Sequence, residues 1–166
     1  MGERLGSAAA RAAVLCWLAC AAPAAAGEAT IGLGIDDLRR DGRTAGAAVE
    51  WRGAPLAARG PWAVGIGFAA EADADGDVWA GAGLWLSRAL GTLWRIEASV
   101  MPGGHARGSG DDLGTGFPIF RSQVGLSRAV GAGWRAGLAF NHKSNARTAR
   151  RNPGVETLLV TLTRVF

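Results

Sequence analysis

The sequence holds 166 residues, enough for one domain with a modest core and too few for two. Its 26 glycines, its many alanines, and 7 tryptophans beside no tyrosine exclude an ordinary helical enzyme. The net charge of +4 comes from arginines dispersed along the chain rather than gathered in a stripe with interleaved aromatics, which argues against a nucleic-acid partner.

The chain opens with Arg4 and Arg11, the apolar run AAVLCWLACAA and the small-residue stretch APAAAGEA. A basic start, a short apolar run and an A-x-A close predict a secretory signal peptide over residues 1–26, with the mature domain at 27–166. The run is too short to cross a bilayer comfortably as a helix. Cys16 and Cys20 both fall in the removed part, so the mature chain has neither a disulfide nor a thiol nucleophile. A lipoprotein anchored at Cys20 is the alternative, opposed by Trp17 where a branched apolar residue would be expected.

Beyond the signal peptide no apolar run approaches the ~20 residues of a membrane helix. Alternation takes its place. Eight segments, at about 29–36, 43–52, 61–71, 77–88, 92–101, 116–128, 131–144 and 154–166, read as strands. In the fifth, Trp94, Ile96, Ala98 and Val100 alternate with Arg95, Glu97 and Ser99. In the seventh, Trp134, Ala136, Leu138 and Phe140 alternate with Arg135, Gly137, Ala139, Asn141 and Lys143, and the eighth sets Leu158, Val160, Leu162 and Phe166 against Thr157, Thr161 and Thr163. One face suits lipid and the other a polar lumen, in which Arg95, Glu97 and Glu50 are expected to form salt bridges.

Connections differ by side. RALGT and RAVGA are tight turns, whereas PGGHARGSGDDLGT and the stretch after Ser144 are long and polar. Trp51, Trp62, Trp94, Trp134 and Phe166 fall near the short-turn side, as an interfacial aromatic belt would. The expected fold is therefore all-β, an eight-stranded antiparallel transmembrane β-barrel of the outer-membrane type. A soluble β-sandwich or lipocalin-like barrel would give the same alternation; the belt and the parity together favour the membrane barrel.

Two polar stretches carry weaker signals. Glu71, Asp73, Asp75 and Asp77 in EADADGD lack the spacing and distal Glu of a calcium loop and are expected to be an exposed acidic loop. His105 stands in a Gly-rich stretch without paired ligands, which argues against zinc. The G-x-G runs alternate along strands rather than opening a helix, so no nucleotide-binding loop is expected.

The stretch FNHKSNARTARRNPGVE carries the chemistry. His142 and Ser144 share even parity at the outer end of the seventh segment, and Glu156 shares that of Leu158 and Val160 on the eighth. Three hydrogen-bonding groups then emerge on the lipid side of adjacent antiparallel strands, where polar groups are costly unless they serve a purpose. Glu156 can hold the tautomer of His142, and His142 can take the proton of Ser144 during attack on an ester. An ordinary polar rim remains the other reading of these residues alone.

The run H-x-S-N, followed by an Asn and then a Glu ahead of the last strand, resembles the lipid A 3-O-deacylase (PagL) family. The residues concerned are His142, Ser144, Asn145, Asn152 and Glu156, and the signal peptide, mature length and terminal Phe fit the same family. The resemblance implies an outer-membrane serine esterase that removes the 3-hydroxyacyl chain at position 3 of lipid A in lipopolysaccharide, without metal or other cofactor. It implies Ser144 as nucleophile, His142 as base and then acid, and Glu156 as orienting acid, with Asn145 and Asn152 as candidates for stabilising the oxyanion. The family pattern often has a glycine two residues past the motif's Asn, where this chain has Arg147, which puts a backbone oxyanion donor there in question. Arg147, Arg150 and Arg151 are candidates for binding lipid A phosphates, with a solvated basic loop as the alternative. A non-catalytic barrel, or an outer-membrane phospholipase or palmitoyltransferase, would share the fold, and a monomer and a homodimer are both compatible with the sequence.

Overall fold

The computed structural model describes residues 27–39, 42–110, 113 and 117–166; the expected signal peptide over 1–26 lies outside the described residues. Among the described residues nine strands form: β1 (Gly27–Asp36), β2 (Thr44–Gly53), β3 (Ala57–Arg59), β4 (Trp62–Asp73), β5 (Val78–Leu90), β6 (Trp94–Ala106), β7 (Ile119–Gly131), β8 (Trp134–Ser144) and β9 (Val155–Val165). All neighbours are antiparallel, and the pairing of β2 with β4 closes an eight-stranded barrel, leaving β3 as a short flap on β4. Closure matters because it leaves no unpaired edge for lipid to meet.

The eight expected segments are the eight barrel strands, but three details differ. β6 runs on through Pro102–Ala106, which the sequence had placed in a loop, because Pro102 and Gly103 pair with Phe120 and Ile119 across to β7. The connection between β4 and β5, on the loop side, is a tight turn at 74–77, while the connection after β2, on the turn side, is long enough to fold back as β3. Glu71 belongs to β4 and is buried in the lumen, and Asp77 is buried too, accepting the Gly108 backbone N–H at 2.6 Å. The acidic stretch is therefore pinned rather than exposed: Asp77 also donates its backbone N–H to Asp73 Oδ1 at 3.0 Å.

Outward positions carry Leu33, Ile66, Leu84, Val100, Leu126, Leu138 and Val160, all exposed, as the lipid face requires. Trp62, Trp94, Trp134 and Phe166 are exposed at the turn end, with Trp51 stacked on Phe68 at 5.4 Å between ring centroids. Arg88 and Arg164 lie over Trp62 and Trp134, combining a cation–π contact with a charge at headgroup level.

The lumen is filled by side chains rather than left as a channel. Two tryptophans that the sequence did not place, Trp79 and Trp85, turn inward, and glycines make room for them. A Cβ at Gly65 or Gly81 would lie 2.6 Å from the ring of Trp85 or Trp79 respectively. Around them runs one continuous ionic ladder. From the turn end, Glu28 pairs with Arg95, and Arg95 lies 2.5 Å from Glu97; Arg52 bridges Glu97 at 3.3 Å and Glu50 at 2.7 Å. Arg121 then bridges Glu50 at 3.2 Å and Glu71 at 2.5 Å, and Lys143 joins Glu71 at 3.2 Å to Asp36 at 3.1 Å. Each charge of the ladder thus faces an opposite one, which offsets the cost of holding it away from water.

Candidate active site

The upper end of that ladder lies directly behind the outward face of β8. Asn141 and Lys143 point into the lumen, where Asn141 donates to Glu71 Oε1 at 2.8 Å. His142 between them points outward. The register sets His142 opposite Glu156 on β9, and Glu156 Oε1 lies 3.1 Å from His142 Nδ1. Burial is uneven across the pair: the Glu156 side chain is 8% exposed and the imidazole 42%. A carboxylate tucked against the wall and a ring open to the bilayer surface leave His142 Nε2 as the ring nitrogen not held by Glu156.

Ser144 follows two residues on, at the same parity and half-buried, as the last residue of β8. Immediately beyond it the chain makes a strained turn. Asn145 O accepts the Thr148 N–H at 2.9 Å, and the two central residues, Ala146 and Arg147, have φ of 51° and 65°. Both central residues at positive φ mark a type I′ turn, for which Asn-Gly is the favoured pair. Arg147 thus sits in the conformation that a glycine would adopt without strain.

Asn145 holds this turn together. Fully buried, it donates through Nδ2 to Leu113 O at 3.2 Å and Arg151 O at 2.6 Å, while its Oδ1 accepts the Arg147 N–H at 2.9 Å. Both amide protons are spent on carbonyls, so its side chain organises the loop, and the Arg147 backbone N–H is turned inward to it. Asn152, itself exposed, accepts the Asn145 backbone N–H through Oδ1 at 3.0 Å. Arg147, Arg150 and Arg151 are all exposed in the same loop.

Gly154 closes the site from the other side. At φ +66° it packs on the imidazole, and a Cβ there would lie 2.5 Å from His142 Cε1. One contact escaped the sequence reading: Arg39 Nη1 approaches Glu156 Oε1 to 3.3 Å from the loop after β1, with its side chain 78% exposed. That loop is fixed by the Leu38 N–H, which donates to Glu156 O at 3.1 Å. The basic run LRR was the available signal, but nothing local in it pointed to a carboxylate 117 residues later.

A family model described as Lipid A 3-O-deacylase (PagL) matches residues 43–163. Among solved structures, the crystal structure of the outer membrane enzyme PagL superposes with a TM-score of 0.62 at 16% identity, covering 84% of this chain and 99% of that one. A structure reported under the de novo design of transmembrane β-barrels superposes at 0.55 with 6% identity, covering 87% and 98%. These two likenesses concern the fold. No curated protein matches the chain.

Proposed function

The chain belongs to the lipid A 3-O-deacylase (PagL) family, and from that premise we propose that it hydrolyses the ester-linked 3-hydroxyacyl chain at position 3 of lipid A by a Ser-His-Glu mechanism. The barrel is an outer-membrane protein, and its loop end faces the leaflet that holds lipopolysaccharide. The observation that carries the mechanism is the 3.1 Å contact between His142 Nδ1 and Glu156 Oε1 on the lipid face, one strand residue removed from Ser144.

Glu156 accepts the Nδ1–H, which fixes the tautomer with Nε2 free as a base. Nε2 takes the Ser144 proton as Oγ attacks the ester carbonyl, and the imidazolium then protonates the departing sugar oxygen. Water, deprotonated by the same nitrogen, releases the acyl chain and restores Ser144. Asn152 is the side chain suited to the oxyanion, because its Oδ1 is anchored and its amide donors are not. The chemistry calls for no cofactor. Arg147, Arg150 and Arg151, joined by Arg39, would hold the lipid A phosphates, since guanidinium groups pair with phosphate through two parallel hydrogen bonds. The substrate's chains already lie along the barrel wall, so the ester reaches Ser144 with little left to desolvate.

The direct test is mass spectrometry of lipid A from Gram-negative cells expressing the protein, wild type beside Ser144→Ala. Loss of one 3-hydroxyacyl mass with the wild type alone is expected. Unchanged lipid A in both, with folded barrel in the outer membrane, would overturn the proposal.

Two substitutions probe the support of the site. Gly154→Ala drives a methyl group into His142, so the ring must swing off Glu156; a displacement of that size is expected to lower kcat by about 100-fold, measured as fatty-acid release in micelles, with the barrel still folded. Asn145→Ala leaves the Leu113 and Arg151 carbonyls and the Arg147 N–H without their partner. At about 1–3 kcal/mol for the buried Leu113 carbonyl and less for the two part-buried groups, the turn after Ser144 should open, read as faster hydrogen exchange across 145–152 together with a loss of activity on the order of 100-fold. An exchange pattern identical to the wild type would contradict the role given to Asn145.

A further inference from the structure

Along the barrel wall between the aromatic girdle and the loops, outward positions among the described residues are apolar or small with four exceptions: Ser122, His142, Ser144 and Glu156. The last three make up the site. Ser122 is exposed on β7, between half-buried Phe120 and exposed Val124, and the mechanism above has no use for it. It is not placed at random. The register sets Ser122 directly opposite His142, which in turn is opposite Glu156, so the three polar residues occupy one rung across β7, β8 and β9. Ser144 stands one outward step nearer the loops, opposite Phe120. A hydroxyl aimed at hydrocarbon carries a cost unless something hydrogen-bonds to it.

We propose that Ser122 recognises the 3-hydroxyl group of the acyl chain being released, and so makes the site selective for 3-hydroxyacyl over unhydroxylated esters. The inference rests on the deacylase reading above. With the ester at Ser144 and the sugar among the loops, the acyl chain descends the wall from Ser144 toward the bilayer centre. It then passes the β7–β8 seam, where Ser122 comes first and Val124, Phe140 and Leu138 follow.

The distances agree. Diagonal neighbours on one face of an antiparallel pair, as Ser122 and Ser144 are, have Cβ atoms about 7–8 Å apart or slightly less. A nucleophile stands about 3 Å from the carbonyl carbon it attacks, and a hydroxyl–hydroxyl hydrogen bond spans about 2.8 Å. Together with the reach from a carbonyl carbon to an oxygen two carbons further along the chain, these lengths are enough to bridge that separation. Serine both donates and accepts, so it serves either orientation of that hydroxyl. Among the described residues, the β7–β8 wall below Ser122 offers no second polar group above the girdle, which restricts the recognition to a hydroxyl near the ester.

The test uses the purified barrel in detergent micelles and two synthetic glycolipids, glucosamine 1-phosphates acylated at position 3 with 3-hydroxymyristate or with myristate. The readout is the ratio of kcat/KM between them for wild type, Ser122→Ala and Ser122→Thr. The wild type should favour the hydroxylated ester by about tenfold, the gain expected of one hydrogen bond. Ser122→Ala should bring the ratio near one, and Ser122→Thr, which restores a hydroxyl, should recover most of it. An equal loss on both esters would overturn the proposal and make Ser122 a support for His142, and an unchanged ratio would overturn it outright. If the wild type cleaves neither ester, the deacylase reading itself falls, and the proposal with it.

Discussion

Purified His142→Ala and Ser144→Ala proteins should each release 3-hydroxy fatty acid from lipid A at least about 10⁴-fold more slowly than the wild type, and the double variant should be no slower than either. In the proposed mechanism the two residues act on one proton. Without the imidazole, Ser144 must attack as a neutral alcohol; without the hydroxyl, the imidazole has nothing to activate. Losses in such a unit do not add, and that non-additivity separates a catalytic pair from two independent contributors to substrate binding. Folding is not at issue, because both side chains lie on the outward face and neither takes part in the lumen ladder. Fatty-acid release by each variant, beside the wild type at matched amounts of folded barrel, gives the answer. A single variant that kept even a hundredth of the activity would remove that residue from the role given to it.

The second large effect is structural and starts from Arg121. Its guanidinium, 1% exposed, reaches Glu50 at 3.2 Å and Glu71 at 2.5 Å and also donates to Gln123. Arg121→Met keeps much of the volume and removes the charge, leaving two carboxylates buried with one fewer cation between them. Breaking a buried pair from one side costs about 3–5 kcal/mol, and the urea midpoint of the barrel in micelles should fall accordingly. Arg121→Met combined with Glu71→Gln should recover part of that loss, since the orphaned charge goes with it. The site should feel it too. Glu71 also holds Asn141 and Lys143, which flank His142 on β8, so a slackened ladder lets β8 move. An unfolding free energy within about 1 kcal/mol of wild type would mean that water reaches the lumen and solvates the carboxylates.

The two experiments address opposite faces of one strand. On β8, alternation sends His142 and Ser144 to lipid and Asn141 and Lys143 to the lumen. The proposed chemistry would thereby sit on a rigid wall rather than on a loop, and the loop after Ser144 is in turn fixed by a buried Asn145. Such support from behind keeps reactive groups within the small displacements that catalysis tolerates.

Much of this was legible in the chain itself. A period of two is local, so the faces of Trp134 to Ser144 and of Leu158 to Phe166 follow from neighbours alone, as do the strand count and the girdle of Trp62, Trp94 and Trp134. The approach of His142 to Glu156 was also within reach, because adjacent antiparallel strands joined by one loop must set same-face residues side by side. The extension of β6 through Pro102 was not, because it depends on pairing with β7, nor was the burial of Glu71, whose cations come from strands 50 and 72 residues away. Arg39 at Glu156, and Ser122 on the rung of His142, depend on register across a barrel that must first close. The sequence by itself determined which way side chains point along the clearly alternating segments, since direction there alternates residue by residue. The tertiary structure alone decided which distant side chains meet, since the register between strands is set by closing the whole barrel around a lumen whose charges must all find partners.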